Sequence, residues 1–324
     1  MITGGNYMQN PLGNLLDQQQ YLVNDGAMGT ELEKHGVDTN NALWSAMALL
    51  KNPEAVIAVH RSYFEAGANI ATTDSYQANP QAFAKLGLTE QQSDDLIRQT
   101  VQLASAARDE YLANLTTVQR FSQARNLLIA GSVGPYGTFL ADGSEYTGAY
   151  DLTADAYQDF HWRRMALLER AGADLFALET MPNFAEIKAL CALLKDEFPE
   201  MTAWVSLSIG TNQDKLADGT PLADVVEFLN DQRQVVALGI NCTSMNNVTS
   251  ALRVISAHTA KPIIVYPNNG DIYDPTDKSW QVNPEAATFS DLVPEWVANG
   301  ARIVGGCCRT TPADVAEIKQ ALFK

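Results

Sequence analysis

The chain has 324 residues, 46% of them hydrophobic, and a formal net charge of −16. This length and composition are enough for one large domain with a continuous core. The acidic balance argues against nucleic acid as a partner, because no basic stripe is present to neutralise phosphates. No apolar run approaches the roughly 18 residues of a membrane span, and residues 1–20 lack a signal-peptide layout, so we expect a cytoplasmic protein that binds no membrane.

Short apolar runs alternate with amphipathic stretches along the chain, which is typical of βα units and a parallel sheet. The apolar runs predict eight strands, at 21–24, 69–73, 127–131, 174–179, 202–208, 235–241, 262–266 and 302–305. The amphipathic stretches predict helices between them, at 53–66, 91–113, 154–171, 184–198 and 221–229.

A Gly-Ala pair recurs where predicted helices meet predicted strands, at Gly67, Gly172 and Gly300. Each glycine stands where a helix must end in a left-handed cap. The repetition indicates one repeated architecture, and eight βα units predict an α/β fold, a single (β/α)8 TIM barrel. A doubly wound open sheet is the alternative, but its Gly-x-Gly-x-x-Gly turn is missing. We expect one domain over residues 16–324, preceded by a flexible N-terminal arm at 1–15.

In such a barrel the active site lies beyond the carboxyl ends of the strands. The residues that directly follow the predicted strands are unusually rich in polar and reactive side chains. They include Asp25, Asp74, Tyr76, Ser132, Glu179, Asn241, Cys242, Asn268, Cys307 and Cys308.

Three of the four cysteines fall at this end, and the sixth and eighth strands can bring Cys242 to the pair Cys307 and Cys308. Three protein ligands with an open fourth position are typical of a catalytic zinc site, and thiolates favour zinc over harder cations. The helix predicted to begin after Thr311 places a positive dipole end near the pair. Small buried residues or a vicinal disulfide are the alternative for adjacent cysteines. Cys191 lies inside a helical pattern and is predicted to be core.

Other catalytic centres lack their signatures in this sequence. The four histidines form no paired metal motif, and no Gly-x-Ser-x-Gly elbow is present. A thiolate-rich zinc site remains, and its natural role is to bind and activate another thiol.

Six motifs at these positions resemble the homocysteine S-methyltransferase family, over nearly the whole chain from Asp25 to Lys324. They are DGAMGT at 25–30, GSVGPYG at 131–137, LET at 178–180, GINC at 239–242, YPN at 266–268 and GGCCRTTP at 305–312. The phrases SYQA at 75–78, ADGSEY at 141–146 and DGTPL at 218–222 are similar to the branch that uses S-methylmethionine, in some members S-adenosylmethionine.

The resemblance implies a (β/α)8 barrel in which Cys242, Cys307 and Cys308 hold Zn2+ as cofactor. Homocysteine would take the fourth position as thiolate and accept a methyl group from a small sulfonium donor, giving methionine. Asp25 and Glu179 would bind the homocysteine ammonium, although each also fits an ordinary turn or helix-start residue. Backbone N–H groups of Gly26 and Ala27 would bind its carboxylate.

The remaining site residues have two interpretations each. Tyr76 matches a tyrosine that can occupy zinc in the betaine branch of the family, or it forms an aromatic donor pocket with Trp44, Tyr136 and Tyr146. Asn241 and Asn268 bond to substrate or to one another. The Gly-rich segment 131–150 is long enough to act as a lid.

Two alternative functions stay open from sequence. One keeps zinc and homocysteine but takes the methyl group from betaine or a methylated selenium compound. The other is a non-catalytic zinc or thiol redox sensor, which leaves the acidic pair Asp25 and Glu179 without a purpose. The sequence does not predict an oligomeric state.

Overall fold

The computed structural model describes residues 8–37, 48–210, 213–274 and 279–324. Strands alternate with helices along most of the chain. The strands are β1 (Leu22–Val23), β2 (Ile70–Thr72), β3 (Leu128–Val133), β4 (Leu175–Met181), β5 (Ala203–Leu207), β6 (Val235–Asn241), β7 (Ile263–Tyr266), β8 (Ile272–Asp274), β9 (Ser279–Gln281) and β10 (Ala301–Val304). The helices are α1 (Pro11–Gln18), α2 (Met28–Lys34), α3 (Ala48–Lys51), α4 (Pro53–Ala66), α5 (Pro80–Lys85), α6 (Glu90–Ala113), α7 (Thr117–Gln123), α8 (Tyr136–Leu140), α9 (Ala154–Arg170), α10 (Phe184–Glu197), α11 (Leu222–Asn230), α12 (Met245–His258), α13 (Phe289–Ala298) and α14 (Pro312–Leu322).

Eight parallel strands form one sheet in the order β1-β10-β7-β6-β5-β4-β3-β2. The two edge strands meet through a parallel bridge between Asn24 and Ile70, and the Asn69 N–H donates to the Val23 carbonyl at 2.7 Å. The sheet therefore curls into a nearly closed barrel, and the predicted TIM barrel is confirmed. Strands β8 and β9, which were not predicted, pair antiparallel as a hairpin between β7 and α13.

Three helices end at the glycines that the repeated phrase predicts. Gly67, Gly172 and Gly300 have φ values of 109°, 95° and 98°, a left-handed conformation that residues with a Cβ rarely adopt. Each glycine stops its helix and turns the chain into the next barrel strand, so the local prediction is confirmed.

Residues 11–15, which were expected in a flexible arm, belong to helix α1. This helix departs from the expected arm because the side chains of Leu12, Leu15 and Leu16 are buried against the interior residues at the amino-terminal end of the barrel. Arg302 strengthens this contact by donating from Nη2 to the Leu16 carbonyl at 3.1 Å. Helix α1 therefore covers the amino-terminal end of the barrel, opposite the predicted site.

The barrel interior changes from apolar to polar along its axis. Leu22 and Leu175 fill its amino-terminal part, and Trp204 lies fully buried above them. The Trp204 Nε1–H donates to the Tyr266 hydroxyl at 3.1 Å, which begins the polar layer at the carboxyl end. Within the described ranges, no helix has both the length and the apolar character needed to cross a membrane.

We expect His60 on α4 to make folding sensitive to acid. Its side chain is fully buried, and neither ring nitrogen has a hydrogen-bond partner among the described residues. Burial lowers the pKa of His60 to about 4, so between pH 6.5 and 4 the unfolded chain binds a proton that the folded chain does not. The free energy of unfolding should fall on acidification, by roughly 2 kcal/mol at pH 5 from this group.

Urea unfolding of the wild type and His60→Leu at pH 7 and pH 5 measures this contribution. The variant should lose that part of the acid sensitivity, whereas His258→Gln, on a more exposed histidine beside Glu227, should keep it. An unchanged pH dependence in His60→Leu would contradict the assignment.

Candidate active site

Three cysteines converge at the carboxyl end of the barrel. Cys242 directly follows β6, and Cys307 and Cys308 follow β10. Their Sγ atoms all lie within 4.8 Å of one another, and the Cys242 and Cys308 sulfurs are 3.6 Å apart. Sulfurs on one tetrahedral zinc lie about 3.8 Å apart, given Zn–S bonds of about 2.3 Å. The thiol cluster therefore fits one metal ion, with its fourth side left for another ligand.

The last residue of β7 and the two residues after it hold both cysteine turns, because β7 lies between β6 and β10 in the sheet. The N–H of Cys242 donates to the Tyr266 carbonyl at 3.2 Å, and that of Cys307 to the Pro267 carbonyl at 2.8 Å. The N–H of Cys308 donates to Asn268 Oδ1 at 3.1 Å. Backbone geometry within the protein thus brings the sulfurs together.

Two residues at the cluster have strained backbones. Cys242 has a φ of 50°, and Arg309, which follows the cysteine pair, has a φ of 67°. Such left-handed conformations are costly for residues with a Cβ and persist where the surroundings fix them. Arg309 is fixed by Asp271, whose Oδ2 accepts from Arg309 Nε at 3.1 Å.

The three thiols share their protons unequally. Hydrogen bonds from Cys242 and Cys307 lower the pKa of Cys308 well below its ordinary value. Of the three sulfurs, that of Cys308 thus most favours the thiolate form, and a bound cation would displace the remaining thiol protons. Cys191, by contrast, is buried in α10, and burial raises its pKa to about 12, in keeping with its predicted role in the core.

Asp25 and Glu179 are buried carboxyl groups at the carboxyl end of the barrel. Asp25 Oδ2 accepts from the Thr72 N–H at 2.7 Å. Burial raises the pKa of Asp25 to about 8, hydrogen bonds from Thr72 partly offset this rise, and the charge of Glu179 adds to it. Burial likewise raises the pKa of Glu179 to about 7, against hydrogen bonds from Ser132 and Tyr266. Two such carboxyl groups would bind a buried cation well.

Asn241 and Asn268 each position a neighbour. Asn241 Oδ1 accepts from the Thr180 N–H at 2.8 Å, and its Nδ2 donates to Thr180 Oγ1 at 2.8 Å. This contact supports Thr180 at a φ of 57°, directly after Glu179. Asn241 thus supports the residue after the Glu179 carboxyl group, and Asn268 binds the N–H of Cys308 in the thiol cluster. The predicted contacts of both asparagines with substrate stay predictions.

The turn at Gly26 and Ala27 is tied to the cysteine turn. The Ala27 N–H donates to Thr310 Oγ1 at 3.1 Å, and the Tyr63 hydroxyl donates to the Ala27 carbonyl at 2.9 Å. The N–H of Ala27 thus has a partner within the protein, which weighs against its predicted contact with a substrate carboxylate. For Gly26 that role stays a prediction.

Tyr146 lies beside the thiol cluster. Its hydroxyl lies 3.8 Å from Cys242 Sγ, while its side chain is 45% exposed. The Tyr76 hydroxyl bonds to Thr180, and burial raises its pKa well above the ordinary value. Tyr136 instead packs in an aromatic cluster, 5.0 Å between ring centroids from Phe160. Trp44, also predicted in the donor pocket, lies outside the described residues.

Sequence patterns missed a polar group behind the site that consists of His161, Arg164 and Glu186, all fully buried. The sequence analysis does not single out His161, because the four histidines form no paired metal motif. A usable signal was present, because His161 and Arg164 are three residues apart on α9 and so occupy one face. Glu186 is also three residues beyond Asn183, whose side chain caps α10.

Comparison with known proteins places this geometry in a family. The family model described as homocysteine S-methyltransferase matches residues 22–322. A homocysteine S-methyltransferase of Escherichia coli is 51% identical over 311 residues, 96% of this chain and 98% of the relative. Homocysteine S-methyltransferase YbgG of Bacillus subtilis is 45% identical, over 95% of this chain and 96% of the relative.

A solved structure agrees with the sequence comparisons. The metallated form of the homocysteine methyltransferase MmuM from Escherichia coli superposes with a TM-score of 0.86 at 48% identity. The match covers 96% of this chain and 99% of that one. The chain therefore belongs to the homocysteine S-methyltransferase family.

Proposed function

We propose that this protein transfers a methyl group from a sulfonium donor, S-methylmethionine or S-adenosylmethionine, to homocysteine, giving methionine, with zinc as cofactor. The observation that carries the proposal is the cluster of Cys242, Cys307 and Cys308, whose sulfurs lie within 4.8 Å of one another. The buried carboxyl groups of Asp25 and Glu179 lie at the same end of the barrel. One end of the site thus suits a thiol and the other an ammonium, the two ends of homocysteine.

The donor set favours zinc. Three thiolates are soft ligands that select zinc over magnesium or calcium, and a three-ligand site leaves a position for substrate. When bound, zinc would supply a Lewis acid that lowers the pKa of an entering thiol, which is about 8.5 when free. We expect the three cysteines to remain reduced for this purpose in the cytoplasm.

Asp25 and Glu179 would orient the acceptor. Their raised pKa values keep Asp25 largely protonated and Glu179 about half protonated at pH 7 while the site lacks a cation. An ammonium group between them restores the charged forms, because a nearby opposite charge favours ionisation. Binding homocysteine would therefore release protons and fix the amino acid by charge-assisted hydrogen bonds.

The methyl transfer needs no further acid or base from the protein. The homocysteine thiolate attacks the methyl carbon in line with the bond to the donor sulfur. A new S–CH3 bond forms, the old C–S bond breaks, and its electron pair returns to the donor, which leaves as a neutral thioether. Because charge disappears in this step, alignment and exclusion of water lower the barrier most. The ring of Tyr146, whose hydroxyl lies 3.8 Å from Cys242 Sγ, suits a sulfonium cation.

Removal of one thiol should abolish metal binding. We expect Cys307→Ala to reduce zinc from about one ion per chain to below about 0.1, because two thiolates no longer form a closed donor set. Zinc content after dialysis, and the sulfur-to-metal absorption of the cobalt-substituted protein, measure this. Cys191→Ala, which alters a core thiol, should keep the metal, and full zinc retention by Cys307→Ala would refute the ligand assignment.

The reaction itself is tested by incubating zinc-loaded protein with homocysteine and one donor at a time. We expect methionine from S-methylmethionine or S-adenosylmethionine, and at least about a thousandfold lower rate in Cys307→Ala, since the nucleophile is then not activated. Methionine from betaine alone would favour the other donor class. No methionine from any donor would favour a zinc or thiol sensor instead.

Asp25→Asn should weaken acceptor binding. We expect the KM for homocysteine to rise roughly 30-fold, because a neutral amide cannot pair with the ammonium. Since the pKa of Asp25 is raised to about 8, binding requires deprotonation, and wild-type affinity should increase from pH 6 to pH 8. The variant should lose part of this slope, as KM measured across that range would reveal.

Asp174→Asn is the matched control for this prediction. Asp174 Oδ2 accepts a strand N–H, that of Ile129, at 2.7 Å, as Asp25 does from Thr72, but it stands at the start of β4 and so at the opposite end of the barrel. Its variant should keep the wild-type KM for homocysteine. Equal effects of the two substitutions would mean that barrel damage, and not lost ammonium binding, explains the result.

A further inference from the structure

The buried group on α9 and α10 is a connected chain of hydrogen bonds. Arg164 Nη2 lies 2.8 Å from His161 Nδ1, and His161 Nε2 lies 2.7 Å from Glu186 Oε1. Each of these three side chains is 0% exposed. A cation and a carboxylate are thus linked through one imidazole inside the protein.

The contacts determine the protonation of the imidazole. Arginine has only donors, so His161 Nδ1 must accept, and the ring proton lies on Nε2, where it donates to Glu186. Burial also lowers the pKa of His161. The neutral ring of His161 bridges the Arg164 guanidinium and the Glu186 carboxylate. The three side chains together have no net charge.

Arg164 binds the strand exits next to the thiol cluster. Its Nη1 donates to the Tyr76 carbonyl at 3.1 Å and its Nη2 to the Gly134 carbonyl at 2.7 Å. The two exits are in close contact, because a Cβ on Gly134 would lie 2.5 Å from the Tyr76 oxygen. Arg164 therefore holds the segments that follow β2 and β3 together.

Glu186 binds both ends of the next segment, residues 136–150. Its Oε1 accepts from the Tyr136 N–H at 2.6 Å, and its Oε2 accepts from the Tyr150 hydroxyl at 2.5 Å. Asn183 adds a second attachment at the far end, where its Nδ2 donates to the carbonyls of Gly148 at 3.2 Å and Tyr150 at 2.9 Å. The start of α10 thus closes this segment into a loop.

Segment 136–150 carries Tyr146 to the thiol cluster. Between its attached ends, the segment reaches across the carboxyl end of the barrel and places the Tyr146 hydroxyl 3.8 Å from Cys242 Sγ. The acceptor carboxyl groups stand elsewhere, after β1 and on β4. A buried charged pair costs desolvation and is a weak way to gain stability, so its use here points to positioning.

We propose that Glu186, His161 and Arg164 are positioning residues that hold segment 136–150 against the thiol cluster and thereby form the methyl-donor half of the site. The kinetic part of this inference rests on the proposed function. The donor then binds against a loop that is fixed at both ends, and movement of the predicted lid is confined to the residues between these attachments.

Two variants test the proposal kinetically. Tyr150→Phe removes one attachment and keeps the ring, and Glu186→Gln keeps the size of the side chain but loses its charge. We expect the KM for the sulfonium donor to rise about fivefold and about tenfold, respectively, from the loss of hydrogen bonds to a charged group. The KM for homocysteine and the zinc content should change less than about twofold, because the acceptor half does not depend on this loop.

Glu197→Gln is the matched control, the same substitution at the exposed end of α10, where Glu197 accepts from Trp162 Nε1 at 3.1 Å. It should leave both KM values unchanged. A parallel rise of both KM values in Tyr150→Phe or Glu186→Gln would overturn the proposal, since general loosening of the barrel would explain it. Unchanged donor KM in folded variants would overturn it as well.

Amide hydrogen exchange gives a readout that needs no activity. Amides of residues 137–147 should exchange faster in Tyr150→Phe than in the wild type, while those of β4 and β6 should not change. If the wild type produces no methionine, the proposed function fails, and exchange alone still decides whether the loop is held as described. If Glu186→Gln does not fold, Tyr150→Phe decides, and equal exchange in its loop would overturn the inference.

Discussion

The site depends on the end of β7 and the two residues after it, because the cysteine turns from the strands on either side of β7 bind there. The N–H of Cys242 and that of Cys307 donate to consecutive carbonyls, those of Tyr266 and Pro267, and Asn268 receives the N–H of Cys308. The order of the strands in the sheet therefore determines where the three sulfurs lie. Strands that are distant in sequence place three thiols around one point, and the left-handed backbone at Cys242 is the local cost of aiming its side chain there.

A second constraint is electrostatic, since the polar layer buries two carboxyl groups with few compensating charges. Asp25 and Glu179 stabilise the ligand-free fold when protonated, because their folded pKa values are raised. That contribution is lost as the pH rises toward these values. By the proposed function, an acceptor that brings its own ammonium would reverse this balance, and the carboxyl groups that are unfavourable when charged in the empty site would recognise it.

The sequence predicts the barrel because its strands and helix ends follow local patterns, and it predicts the thiol cluster because the cysteines directly follow strands whose carboxyl ends meet in such a barrel. Alternating apolar runs locate the strands, and the glycines at positions 67, 172 and 300 mark helix ends. Helix α1 was not predicted because its burial depends on contact with the amino-terminal end of the barrel, whose residues are distant in sequence. The partner of the Ala27 N–H, Thr310, is likewise far away along the chain. Periodicity carries no information on which distant hydrogen-bond partner a group finds, so such details require the fold.

The acceptor and donor halves of the site that we propose are built by different means. The acceptor half consists of groups on or directly after barrel strands, where neighbouring strands fix each position within the sheet. The donor half is a loop. A loop is positioned as accurately as a strand only when buried hydrogen bonds hold it, because water cannot replace those bonds. Full burial of Glu186 and Arg164 supplies that condition, because breaking either contact would leave a charge without water or partner. A metal-activated thiol that attacks in line needs such precision on both sides, since displacement is sensitive to small errors in alignment.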